Sequence, residues 1–181
     1  LIVNFEYSDR DDDYQAQAIL YIGGGSSLNN SYVQDLIEWR HKQGYIVYTA
    51  TESEVGGSSA STSEIKNYIS DAYYNWENPP EFVSLIGDAS GSGSVPTVPT
   101  FTVGSGNGWQ GASAESDLPY VLLDDDLLAD ILIGRISIRS ETEFSVVANK
   151  ILGYEKLYAG SDWIESVALV GDPYDSGIST V

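Results

Sequence analysis

Four aspartates, Asp124, Asp125, Asp126 and Asp130, fall within seven residues of this chain. Carboxylates packed this closely repel one another. A hard cation relieves that repulsion, and calcium takes about six to eight oxygens from carboxylates and backbone carbonyls. The turn itself offers Asp126, Asp130 and several carbonyls. Asp88 closes the apolar run at residues 82–86 as part of a Gly87-Asp88 pair, and it reaches the same point if the two strands are neighbours. A charged turn in water accounts for the same residues without a metal, so the residues alone leave both readings open. Other chemistry is thinner. There is no cysteine and a single histidine, His41. Disulfides, a thiolate nucleophile and His-cluster metal sites are therefore excluded within these residues. His41 lies in EWRHKQG near a helix C-terminus, where the helix dipole favours a cation. The glycines at 23–25 and 87–93 lack both the GxGxxG spacing and the Gly-Lys-Ser/Thr ending of a phosphate cradle. A phospho-acceptor role for Asp88 needs an acidic pair after the first strand, and residues 23–27 supply none.

The composition narrows the partners. Among 181 residues, 27 are Asp or Glu and 8 are Lys or Arg, a net charge of −19. Nucleic acid and anionic membrane are poor partners for such a surface, whereas a calcium-rich exterior suits it. The apolar fraction of 42% is enough for a proper core. No run of residues is long enough to span a membrane.

The elements that must position the aspartates follow from periodicity. Residues 18–22 (AILYI) form the first core strand. Asn30 or Ser31 caps a helix over 32–43, with Val33, Leu36 and Ile37 on its apolar face and Gly44 at its end. Residues 45–50 (YIVYTA) make the second strand, and the β-α-β unit implies a right-handed crossover and a parallel pair. Residues 51–60 read as a loop. Ser61 and Glu64 form a capping box opening a helix that runs to about Trp76. Its stripe of Ile65, Tyr68, Ile69, Ala72, Tyr73 and Trp76 is core by spacing. Residues 82–88 (FVSLIGD), apolar on both faces, form a central strand. The long irregular stretch after it contains a short edge strand or hairpin arm within 95–103 and suits a partner-facing loop. Strands follow at 120–123 and 131–138, with the acidic turn between them. Ser140 and Glu143 open a helix over 141–158, burying Phe144, Val147, Ala148, Ile151 and Tyr154. Residues 166–170 (SVALV) read as one more buried strand, ending in Gly171-Asp172. The fold class is α/β, in three layers, with a mostly parallel sheet plus a hairpin.

Taken in order, EWRHKQGY, STSEIKNYISDAYYNW, PPEFVSLIGD, SDLPYVLLDDDLLADILIGRIS, ANKILGYEK and ALVGDP resemble the gingipain-type cysteine peptidases, family C25. The resemblance runs from about Ala18 onward and is most specific where SDLPY is followed by the acidic turn and IGRIS. It implies a caspase-like catalytic unit of two α/β subdomains. Residues 1–17 would be an extended lead-in, 18–160 the first subdomain, and 161–181 a linker and the first strand of the second. The catalytic histidine and cysteine of such enzymes lie downstream of ALVGDP, so none of the residues here is catalytic. The chain would scaffold a missing catalytic subdomain of the same polypeptide, which acts on protein substrates.

The resemblance also implies secretion and structural calcium. Counted back from IGR, the ligands fall on Asp126, Asp130 and the carbonyls of Leu123 and Leu128, with Asp88 at the strand end. This favours the calcium reading of the acidic turn. Asp175, in PYDSG, falls near the acid of the S1 pocket, the pocket that receives the side chain before the cut, in enzymes cutting after Arg or Lys. The alternative is a calcium-dependent surface or adhesion module that shares the fold but has no active site. Ending at Val181, the chain suits a cut or mature piece of a longer protein.

Overall fold

Leu20 and Ile22 face one side of the first strand and Tyr21 the other, and all three are buried. A strand buried on both faces needs cover from two layers, and two layers are present. The computed structural model describes residues 16–57, 59–103, 114–124, 126–156 and 166–168. Its main sheet contains β1 (Ala18–Gly23), β2 (Ile46–Thr51), β3 (Phe82–Ile86) and β6 (Leu132–Ile136), in the order β2-β1-β3-β6. All three pairings are parallel.

Helix α1 (Ser31–Lys42) follows β1, and α4 (Glu141–Glu155) follows β6. They share one face of the sheet, over a core of Tyr21, Val33, Ile37, Ile86, Ile138 and Phe144. Helix α3 (Thr62–Asn75) joins β2 to β3 and covers the other face, with Ile65, Ile69 and Ala72 packed on Leu20, Ile22, Val83 and Leu85. Tyr68, Tyr73 and Trp76 are partly buried against that core. The connection reverses direction between β1 and β3, which makes this the switch point of the sheet.

The caps work as their residue types require. Asn30 accepts a hydrogen bond from the Tyr32 N–H (2.9 Å), and the Ser61/Glu64 box is closed in both directions. Gly44 leaves α1 with φ +94°, a conformation that favours glycine. At their far ends α1 and α4 are latched together. Arg40 forks onto both carboxylate oxygens of Glu155 (2.5 and 2.7 Å), the Trp39 indole donates to the same carboxylate, and Lys156 sits 4.7 Å over the Trp39 ring.

Some elements differ from expectation. Residues 52–55 are not loop but a single helical turn, α2 (Glu52–Val55), held by a capping box from Thr51 to Glu54. Residues 120–123 are not a strand. Leu118–Tyr120 form a 3-10 turn, and Tyr120 and Val121 are wholly buried without joining a ladder. Pro119 removes a backbone donor there, and the Tyr120 hydroxyl bonds the Pro99 carbonyl. The hairpin arm is present as β4 (Phe101–Val103), antiparallel to β5 (Ala114–Ser116) in a separate small sheet. On α4, Phe144 and Ala148 are buried, but Tyr154 is 60% exposed. Of residues 166–170, only 166–168 are described, and they lie outside any strand.

Gly24 is fixed by close approach. A Cβ there would overlap the backbone of Thr97, in the loop that follows β3. Gly24→Ala is expected to cost about 1–3 kcal/mol, read as a lower urea midpoint. Gly134→Ala, where a Cβ meets nothing within 4 Å, should leave the midpoint unchanged.

Candidate functional site

The acidic loop that enters β6 folds on its own carboxylates. Asp124 accepts from the Asp126 N–H (2.9 Å) and Asp126 from the Leu128 N–H (2.7 Å). Asp130 accepts from the Leu123 N–H (2.8 Å) through one oxygen, while its own N–H donates to the Val121 carbonyl (2.9 Å). Asp126 and Asp130 therefore each spend one carboxylate oxygen on the turn. These two hydrogen bonds leave the second oxygen of each carboxylate unused, and carboxylate oxygens are donors that a hard cation takes. Asp125 lies outside the described residues. Among the described residues, no three acidic or histidine side chains converge into a ready-made metal cage.

Asp88 does not join this loop. The expected neighbourhood of β3 and β6 is present, but the strands run in the same direction. Phe82 pairs with Leu132, so Asp130 stands level with Pro80, and Asp88 lies eight residues further along. At about 3.3 Å per residue this is roughly 26 Å. One end of the sheet carries Asp126 and Asp130, and the opposite end carries Asp88.

At that opposite end Asp88 is fully engaged. Its Oδ1 accepts from the Ser137 hydroxyl and the Ala89 N–H (both 2.9 Å), and its Oδ2 pairs with Arg139 (3.0 Å). The Ser137 hydrogen bond leads in holding its carboxyl below the usual range; burial opposes it, and Ala89, Arg139 and Arg135 add to the lowering. Beside it lies a cleft of 580 Å³ lined by Ser26, Ser27, Asn30, Arg139, Ser140 and Glu141 among others. The glycines at 23–25 do not cradle an anion there. Thr97 backbone fills the space beside Gly24, and Leu28 and Ser27 crowd Gly23.

The most heavily bonded group in the structure is one that sequence reasoning passed over. Arg135, in β6, gives each of its guanidinium N–H groups an acceptor. Nε and Nη2 fork onto Asp117 (2.8 and 2.7 Å), Nη1 reaches the carbonyls of Gly87 (3.1 Å) and Val98 (2.7 Å), and Nη2 also reaches Pro99 (3.2 Å). Thr100 donates to Asp117 as well (2.8 Å). Both partners are mostly buried, with side chains 12% and 21% exposed. Burial pushes the Asp117 carboxyl up, but the Arg135 and Thr100 hydrogen bonds and the Arg135 charge outweigh it, leaving the carboxyl below its ordinary value. The signal in the sequence was a lone arginine inside an apolar strand, since a buried charge is almost always paired.

His41 sits exposed in the last turn of α1, with Arg40 and Lys42. Asp175 and the Gly171-Asp172 pair lie outside the described residues.

Comparison with known proteins gives a consistent result. The model of peptidase family C25 matches residues 13–180. Lys-gingipain W83 of Porphyromonas gingivalis is 25% identical over 170 residues, covering 91% of this chain and 9% of that protein. Lys-gingipain HG66 of the same organism is 26% identical over 155 residues, covering 83% and 8%. The chain thus spans about a tenth of the length of these curated relatives. Among solved structures, the Arg-specific cysteine proteinase gingipain R superposes with a TM-score of 0.61 at 17% identity, covering 82% of this chain and 30% of that one. The complex of RgpB pro- and mature domains from Porphyromonas gingivalis gives 0.60 at 17%, covering 76% and 29%.

The clamp predicts an acid-sensitive stability. A carboxyl whose folded pKa is depressed stabilises the fold above its unfolded value of about 3.9, and that contribution is lost as pH falls through the folded pKa. Asp117→Asn should therefore melt well below the parent at pH 7, and the gap should narrow once the pH drops below about 4. Arg135→Met, which takes the ion pair from Asp117 and the donor from the carbonyls of Gly87 and Val98, should lose about 3–5 kcal/mol in urea unfolding at pH 7.

Proposed function

The chain belongs to peptidase family C25, and from that premise we propose that it is the non-catalytic N-terminal subdomain of a secreted cysteine endopeptidase, inactive alone. One observation carries the reading: a family match over nearly the whole chain coincides with a sequence that has no cysteine. A thiolate attacking a peptide carbonyl, with a histidine as acid and base, needs residues that these 181 do not contain. His41 is exposed at a helix end, beside Arg40 and Lys42. The role left to this piece is support. Its partner is the catalytic subdomain of the same polypeptide, and the substrate of the whole protein is another protein or peptide. Asp175 is assigned to the substrate pocket by resemblance alone.

We also propose a structural calcium ion on the loop before β6, held by Asp126, Asp130 and the carbonyls of Leu123 and Leu128. The support is chemical. The donors are all oxygen, and Asp126 and Asp130 each keep one oxygen that the loop does not use. Asp88 is left out of the set, because it lies at the other end of the sheet.

Joined to the polypeptide that follows it in its own reading frame, the chain should cleave a peptide substrate and be inactivated by a thiol-alkylating reagent. The 181 residues alone should not cleave. A following sequence without a cysteine and a histidine would overturn the peptidase reading and leave a calcium-dependent surface module. For the metal, calcium at about a hundred times its Kd should add about 2.7 kcal/mol of stability, read as a higher Tm. Asp126→Ala and Asp130→Ala should lose that rise, and Asp88→Asn should keep it. An equal Tm with calcium and with chelator would remove calcium from the account.

A further inference from the structure

We propose that the groove between the end of α3 and the loop entering β6 docks a lysine- or arginine-bearing segment of another polypeptide. The groove has a volume of 670 Å³, and its walls include Tyr73, Tyr74, Pro79, Pro80, Phe82 and Leu132. Two large apolar side chains stand open on it, Tyr74 at 57% and Leu132 at 63% exposure. Apolar side chains gathered on a concave, polar-rimmed surface mark interaction sites. The Tyr73 and Tyr74 rings meet edge to face at 4.9 Å. Two successive prolines fix the backbone of one wall, so little ordering is required when a ligand settles there.

Charge selects the occupant. Glu81 and Asp130 line the groove, and none of its lining residues is basic. A long cationic side chain meets both features at once. Its methylene stem lies along tyrosine and proline, and its head lies over a ring face and toward a carboxylate. The net charge of −19 attracts any cation over long range but gives no address; the tyrosine and proline walls give it. A second copy of this chain is disfavoured by the same charge. The inference does not depend on the peptidase reading and holds equally for a scaffold or a surface module.

The probe is a fluorescein-labelled peptide of alternating lysine and proline, titrated into the 181-residue chain and followed by anisotropy. Because Asp130 is also a proposed calcium ligand, the titration is run in chelator. Binding should saturate, weaken about tenfold in Tyr74→Ala and survive in Tyr74→Phe. A glutamate-proline peptide should not bind. Tyr74→Ala leaves the net charge untouched, so its loss of binding cannot reflect general attraction to an acidic surface. If Tyr74→Ala loses its native circular dichroism, Leu132→Ser on the same groove provides the same readout. Equal binding in the variant, no saturable binding, or a Tyr74-dependent dimer that excludes the peptide would each overturn the proposal.

Discussion

The Arg135–Asp117 pair is the constraint on which the upper end of the sheet depends. A guanidinium in a mostly buried place is tolerable only if every donor is met. Here the donors are met by Asp117 and by the carbonyls of Gly87, Val98 and Pro99. One side chain therefore gathers the end of β3, the loop after it and the turn before Tyr120. Tyr120 then seals the arrangement from the other side, donating to the same Pro99 carbonyl and packing edge to face on Phe101 at 4.8 Å. Between β3 and β6 this cluster adds to the short β4–β5 ladder by tying residues 87, 98, 99 and 117 to one side chain. The SDLPY and IGR strings, which carry the family resemblance most strongly, are the two halves of one contact.

Strand direction governs what the aspartates can do. In a parallel sheet all the strand ends point the same way, so a loop entering β6 and a loop leaving β3 never meet. Asp88 ends among Ser137, Ala89 and Arg139, where it fastens the exit of β3 to the start of α4. Asp126 and Asp130 stay with the entry loop. The two acidic sites thus answer to different neighbours, one already neutralised by arginine and the other facing water.

Much of the framework was legible because local signals agreed with the tertiary ones. The alternation at Leu20–Tyr21–Ile22, the Ser61/Glu64 box and the Asn30 cap each specify structure within a few residues, and each is present. What escaped was non-local. The apolar run at Tyr120 and Val121 reads as a strand, but burial there comes from α3 and Phe101 rather than from strand partners. Tyr154 matches the helical period of α4, yet it stays exposed in the last turn while Phe144 and Ala148 carry the buried face. Arg135 finds Asp117 eighteen residues away, a distance that no periodicity can report. At the acidic loop the aspartates lie together because they are close in sequence, whereas Asp88 lies at the opposite end of the sheet, as the parallel order of β3 and β6 requires.

The latch between α1 and α4 ties residues 39 and 40 to residue 155. On a ribosome the chain emerges from its amino end, so α1 leaves the exit tunnel long before the carboxylate that anchors it. Until Phe144 and Glu155 follow, one side of β1 and β3 lacks half its cover, and Tyr21 and Ile86 face the solvent or a chaperone. Helix α3 closes the other side much earlier, from residues near at hand in the chain. Biogenesis is therefore lopsided: one layer can consolidate while synthesis continues, and the opposite layer waits for α4.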